Sequence, residues 1–261
     1  MNSSANNAIR RPKASITPFN TNSLHLRNPW TLACWSLLYP GFGHINNGSI
    51  SKGFLLFTGE LLINYKSHLN LAILYSFNGA FQAAKQVLDT QWLIIYCSVL
   101  LFAIWDSYRL TVECNKLSVL ADREHSPITP TAVSGISVNS LDKRNPWVGF
   151  AWSMLLPGLG HMYAGLNVLS TIIFIFGTGI FVVSHSLQAI MYTIWGDFSG
   201  ARNILDWQWF MNLPSLYGFA AWDAYLKTVE LNKLFNIEQA RYFKKTYQGI
   251  SLRLPFPVRG G

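Results

Sequence analysis

Two pairs of residues recur at the same separation and carry groups able to do chemistry: His44 with Asp106, and His161 with Asp223. An imidazole beside a carboxylate can pin the glycine-rich turn that carries the His to the long segment that carries the Asp. The alternative for each pair is an Asp that accepts backbone or Trp N–H groups and a His that faces water. Glu60 is a different candidate, a lone carboxyl inside an apolar run, with Gly177 at the matched position. Such a group is costly unless it is partnered. It reads as a substrate or proton site, or as part of a polar seam with Asn64 one helical turn on.

No larger constellation surrounds these residues. His68 and His185 each follow a Ser, but two ligands fall short of the three or four of a zinc site. Cys34, Cys97 and Cys114 are odd in number and lack C-x-x-C spacing, so free thiols are expected. The chain contains neither H-E-x-x-H nor G-x-S-x-G, and Gly41-x-Gly43 has no βαβ context. The sequence therefore assigns no catalytic residue, no metal ligands and no cofactor.

The elements that hold these residues are apolar. Half of the 261 residues are hydrophobic, 12% are charged and 15% are aromatic, with ten Trp. A soluble domain carries about a quarter charged residues, so a lipid-facing surface is expected. The net charge of +8 lies in flanks. Arg10, Arg11, Lys13 and Arg27 precede the apolar stretches, Arg109, Lys116, Arg123, Lys143 and Arg144 divide them, and Lys227 to Arg259 follow. This pattern marks the cytoplasmic side of a membrane rather than a nucleic-acid surface. Residues 1–28 lack an apolar signal core, so the first apolar segment is expected to direct insertion.

The chain repeats itself without gaps. Arg27-Asn28-Pro29-Trp30 returns as Arg144-Asn145-Pro146-Trp147, and Pro40-Gly41, Gly43-His44 and Gly48 return as Pro157-Gly158, Gly160-His161 and Gly165. Trp105-Asp106, Thr111-Val112-Glu113 and Asn115-Lys116-Leu117 return as Trp222-Asp223, Thr228-Val229-Glu230 and Asn232-Lys233-Leu234. About 38 of the 91 positions in 27–117 match those in 144–234. The expected organisation is a polar basic segment 1–26, membrane repeat 27–117, cytoplasmic linker 118–143, membrane repeat 144–234, and a basic aromatic tail 235–261. The tail reads as a solvated terminus or as a segment lying on anionic lipid.

Within a repeat, Asn then Pro predicts a helix cap and first turn. The helix from Pro29 to about Tyr39 ends at Pro40-Gly41-Phe42-Gly43 and is roughly 16 Å long, half a bilayer core. It reads as re-entrant or interfacial. A second segment, Ile50 to Tyr65 and Val168 to Val183, is expected to span, as is a third, Trp92 to Tyr108 and Trp209 to Tyr225. An amphipathic surface stretch separates them. Only Lys66, Lys85 and Arg202 fall in the loops between second and third segments, offset by Asp89, Asp197 and Asp206, so those loops are placed outside. The N-terminus, linker and C-terminus are then all cytoplasmic. The expected fold is all-α integral membrane: two tandem parallel repeats, each a short re-entrant or interfacial helix plus two transmembrane helices.

Pro40-Gly41-Phe42-Gly43-His44, the following Gly48, Lys52-Gly53 and the distal Asp106 resemble the TM-two domain family. Pro157 to His161, Gly165 and Asp223 give the same order again. The resemblance implies paired membrane helices around a Gly-rich, His-containing turn, and no established reaction. Asn46 departs from it, standing where an aromatic is common and where the second copy has Tyr163. The stretch between second and third segments is also longer than in the family. The expectation is a non-catalytic scaffold or adaptor in the cell membrane, its partners the bilayer and other membrane proteins. The alternative is a small transporter or channel with a site on the axis between repeats.

Overall fold

Asn28 and Asn145 start the two halves alike. Each side chain accepts the backbone N–H two residues on, from Trp30 and Trp147 at 3.0 Å. Pro29 and Pro146 then occupy the first helical turn, where a missing N–H is no loss. The computed structural model describes residues 11–135 and 137–247. Arg10, Arg253, Phe256 and Arg259 lie outside the described residues.

In chain order, the hairpin β1 (Ala14–Ile16) and β2 (Thr21–Ser23) precedes α1 (Pro29–Leu38), α2 (Phe42–Asn46), α3 (Ile50–Ser67), α4 (Leu69–Phe77), α5 (Phe81–Val87) and α6 (Thr90–Arg123). A second hairpin, β3 (Thr131–Val133) and β4 (Val138–Ser140), precedes α7 (Pro146–Leu155), α8 (Leu159–Tyr163), α9 (Asn167–Val183), α10 (Ser186–Ile194), α11 (Phe198–Ile204), α12 (Trp207–Phe210) and α13 (Leu213–Tyr247). The chain is mostly helical, and both hairpins are antiparallel.

The two halves differ where their sequences do. α6 is unbroken, whereas its counterpart divides into α12 and α13 around Met211 and Asn212. Pro214 stands where the first half has Cys97. Proline has no N–H to donate and its ring clashes with the carbonyl four residues back, so Pro214 is placed in the first turn of a new helix.

Several boundaries move. α6 continues past 117 to Arg123, and α13 passes 234 and ends at Tyr247, so neither the expected linker nor the expected tail begins at a structural break. Nor is the whole 118–143 segment exposed: Ser126, Asn139 and Leu141 are buried. Ser126 is held by the Arg11 carbonyl and by Arg241, each at 2.6 Å, while the region of Asn139 is covered by docking of one hairpin on the other. Asn139 donates to the Thr17 carbonyl and Thr21 Oγ1, each at 2.9 Å, and Ser137 Oγ donates to the Pro18 carbonyl at 2.9 Å.

Four spans were expected from the apolar runs; among the described residues α6 alone is long and apolar enough to cross a membrane by itself. α9 and α10 qualify only together, bent by 63°. α3 carries Lys52, Glu60 and Lys66, and the break at Met211 shortens the apolar part of α13.

α4 with α5, and α10 with α11, are excursions closed at their base. Asp89 N–H donates to the Ser67 carbonyl and Asp206 N–H to the Ser184 carbonyl, both at 3.1 Å. His68 and His185, the residues weighed as an outer metal pair, turn the chain into these excursions from left-handed conformations at φ 54° and 56°. Short polar and His side chains are enriched in that region.

The halves meet through unlike faces. From the first half come Trp35, Tyr39, Phe42, Phe54 and Phe57. From the second come Phe176, Phe219 and Trp222. Phe42 stacks on Phe219 with centroids 4.0 Å apart, Trp35 lies 4.8 Å from Trp222, and Phe57 meets Phe176 edge-on at 5.0 Å. The matched residues do not form the reciprocal contact. Phe219 is fully buried, but its counterpart Phe102 is 46% exposed, and Trp152, the counterpart of Trp35, is also 46% exposed.

Candidate functional site

The Gly-His turn is folded tightly enough that only glycine fits. Gly41 and Gly158 adopt φ of 104° and 103°, closed to most L side chains. A Cβ on Gly43 would strike the Leu32 carbonyl and Ser36 Oγ; one on Gly160 would strike the Gly149 carbonyl and Ser153 Oγ. This close approach seats α2 against α1 and α8 against α7. It also aims the next residue, His44 or His161, at the last long helix of the same half.

His44 Nε2 lies 2.9 Å from Asp106 Oδ2, and His161 Nε2 lies 2.9 Å from Asp223 Oδ2. All four side chains are buried. Each Nδ1 is buried with no protein partner, and so is Oγ of the matched Ser36 and Ser153. With the carboxylate accepting, the arrangement that leaves no orphan donor puts the ring proton on Nε2.

The two aspartates are completed differently. Asp106 draws on its own half: Lys52 bonds Oδ2, and Arg109 donates to Oδ1 through Nη2 at 2.8 Å and Nε at 3.3 Å. Asp223 reaches across, since its Oδ1 accepts the side-chain amide of Asn46 from the first half. Lys227 Nζ, at the next turn of α13, donates to the Asn46 carbonyl at 2.5 Å. The second half has Leu169 and Leu226 where the first has Lys52 and Arg109. Asn46 is thus no blemish in the turn motif; it completes the other half's carboxylate. Tyr163 at the matched place accepts the Asn145 N–H at 3.2 Å.

A second crossing lies beside the first. Arg27 grips Glu230 with two bonds, Nε to Oε1 at 2.7 Å and Nη2 to Oε2 at 2.5 Å. Burial opposes ionisation of Glu230, but Lys227 and Arg27 outweigh it and hold the carboxyl below its usual range. The nearby His25 is driven the other way. Burial, aided by Arg27, Lys13 and Lys227 and opposed by Glu230, lowers its pKa to about 4, and its Nε2 has no partner. The Arg27 backbone is clamped in turn: Asn115 Oδ1 accepts its N–H at 2.9 Å and Asn115 Nδ2 donates to its carbonyl at 2.8 Å. Asn232 clamps Arg144 in the same way at 2.9 and 2.7 Å, which explains why Asn sits in both copies of the Thr-Val-Glu motif.

Glu60 joins neither pair. It is buried in α3 within a polar seam between the halves. Asn64 Nδ2 donates to its Oε1 at 3.2 Å and Gln208 Nε2 donates to Asn64 Oδ1 at 2.8 Å; Asn70 Nδ2 donates to the Gln208 carbonyl at 2.8 Å. Tyr39 OH donates to Asn212 Oδ1 at 3.3 Å in the same seam. Glu60 Oε2 has no partner. The matched second-half positions are Gly177, Phe181 and Leu187, so the seam exists once.

Asn46 and Lys52 are legible in the turn motif and Arg109 and Lys227 among the flanking charges, but nothing in the sequence gives any of the four a place at an aspartate. Among the described residues, no group of three or more His, Cys, Asp or Glu is placed to hold a metal. No family model, no curated protein and no solved structure matches the chain.

Proposed function

We propose that this chain is a non-catalytic multi-pass membrane protein, a scaffold or adaptor made of two fused TM-two-like domains. One observation carries the reading. Both carboxylate oxygens of Asp106 and of Asp223 are already taken by side chains of the protein, which leaves neither free to engage a substrate. The pairs then act as pins between the Gly-His turns and the long helices. Membrane residence is supported by the apolar surface of α6, where Ile94, Leu101 and Trp105 are 69%, 68% and 60% exposed, far more than water tolerates in one stripe. In this reading α3, α6, α9 and the start of α13 span, while α1 and α7 dip in and stop at their glycines. The hairpins and the polar ends of α6 and α13 face the cytoplasm and are available to partner proteins.

The test is alkaline extraction of membranes followed by crosslinking in place. Retention in the pellet and a reproducible crosslinked partner are expected. Release into the supernatant ends the membrane reading, and absence of any partner ends the adaptor reading.

Glu60 Oε2 favours a second reading, a small transporter whose site is the seam. Proton and monovalent-cation flux into liposomes decides between the two. Flux that Glu60→Gln abolishes replaces the scaffold with the transporter.

A further inference from the structure

The two helical excursions carry the same groove. Between α4 and α5, Ala72 and Ala84 form the floor and Ile73 and Phe81 the walls, enclosing about 520 Å³. Beside α10 and α11, Ala189 and Ala201 with Ile190 and Phe198 occupy the matched places in a wider groove of about 640 Å³, whose far side is made by Phe181, Phe210 and Tyr217. The small floor side chains leave the space above them open. Phe81 and Phe198 are 62% and 66% exposed, so the grooves are unfilled by the protein itself.

Each groove has one cation on its rim at matched positions, Lys85 and Arg202. Both side chains are exposed, and neither takes part in an ion pair among the described residues. The carboxylates that follow them are engaged elsewhere. Asp89 Oδ1 accepts the N–H groups of Gln91 and Trp92, and Asp206 Oδ1 those of Gln208 and Trp209, as helix caps. Asp197 caps α11 through the Gly200 N–H at 2.8 Å. None of these acids forms an ion pair with Lys85 or Arg202, so each groove keeps an unpaired cation on its rim.

We propose that each groove binds one acyl chain of an anionic phospholipid of the outer leaflet, with the phosphate on Lys85 or Arg202. The proposal rests on the membrane reading above, because only a protein in a bilayer presents these excursions to lipid at headgroup depth. An apolar trough ending in a lone cation matches a ligand that is a hydrocarbon chain with a negative head. Zwitterionic lipid has the chain but no net charge for the rim.

The test uses the full chain in detergent, incubated with phosphatidylglycerol or with phosphatidylcholine of identical chains, and counts bound lipid by native mass spectrometry. Two phosphatidylglycerols are expected, held over phosphatidylcholine by about fivefold per site, the factor for about 1 kcal/mol of headgroup attraction. Lys85→Glu and Arg202→Glu each remove one, the double variant removes both, and Lys85→Arg and Arg202→Lys keep them. Equal retention of the two lipids, or two phosphatidylglycerols still bound by the double variant, overturns the proposal. Alkaline extraction of the membranes from which the protein is purified separates the causes. A protein that stays in the pellet yet binds no anionic lipid refutes the grooves alone; a protein that is released refutes the membrane reading beneath them.

Discussion

Asn46 in the first half donates its side-chain amide to Asp223 in the second, and no reciprocal bond links Tyr163 to Asp106. The duplicated motif thus makes one carboxylate that belongs to its own half and one that belongs to both. Asn46→Leu is expected to leave Asp223 Oδ1 buried and unbonded, at about 1–3 kcal/mol. Asn46→Asp, which sets two carboxylates together, is expected to cost more. Melting in detergent that shows Asn46→Leu equal to the parent contradicts the shared site.

The same asymmetry separates the two aspartates. The Lys52 and Arg109 side chains beside Asp106 are 37% and 45% exposed and can turn to water when the charge is removed. Asp223 has Lys227 behind it, only 12% exposed. Asp223→Asn is expected to lower the melting temperature more than Asp106→Asn, since it leaves a buried cation less balanced. Equal shifts for the two variants count against this account.

Acid should loosen the Arg27–Glu230 crossing. The His25 pKa is about 4 in the fold against 6.5 for the free side chain, so between those values the unfolded chain binds more protons. The stability that comes from a neutral His25 is complete above pH 6.5 and is lost as the pH falls toward 4, at up to about 1.4 kcal/mol per pH unit. The carboxyl of Glu230, held low, loses its contribution on the acid side too. Melting curves from pH 7 to pH 4.5 should fall, and His25→Gln should flatten the slope.

Glycines divide into two classes that alanine tells apart. Gly43→Ala and Gly160→Ala drive a methyl into backbone carbonyls and should prevent the turn from closing, a loss of several kcal/mol. At Gly59, Gly179 and Gly218 a Cβ meets nothing within 4 Å, and alanine there should stabilise by about 0.5–1 kcal/mol through helix propensity. Expression and melting of the five single variants check both signs.

Cys97→Pro asks whether one residue accounts for the break between α12 and α13. In unbroken α6 it should cost about 3 kcal/mol or more, visible as lost helicity by circular dichroism. Pro214→Ala should be tolerated, because that position lies in the first turn of its helix.

Much of each half is legible in the sequence because the signals are local. Asn-Pro at a helix start, a glycine that must turn, and a His aimed at an Asp of the same half all act within one repeat. Contacts between the halves are not legible in that way. The offset that aligns Asn46 with Tyr163 states which residues correspond, not which ones touch, and the facing of the two halves depends on packing of Phe42, Phe219 and Trp35 in three dimensions. The helix ends beyond 117 and 234 are hidden for a related reason: identity between copies stops there, while backbone hydrogen bonding continues to Arg123 and Tyr247. Pro214 is the exception, a visible signal at the place where α12 gives way to α13.

The unlike faces of the seam make the molecule directional. A contact that uses a turn face on one side and a helix face on the other can propagate without limit, as a ring or a filament, if every subunit is the same. Here the two open ends lack the polar half of that contact. Tyr163 offers no amide to a third aspartate, and Lys52 with Arg109 have already closed Asp106 against one. The contact is therefore made once, and the two ends of the molecule differ as a head differs from a tail.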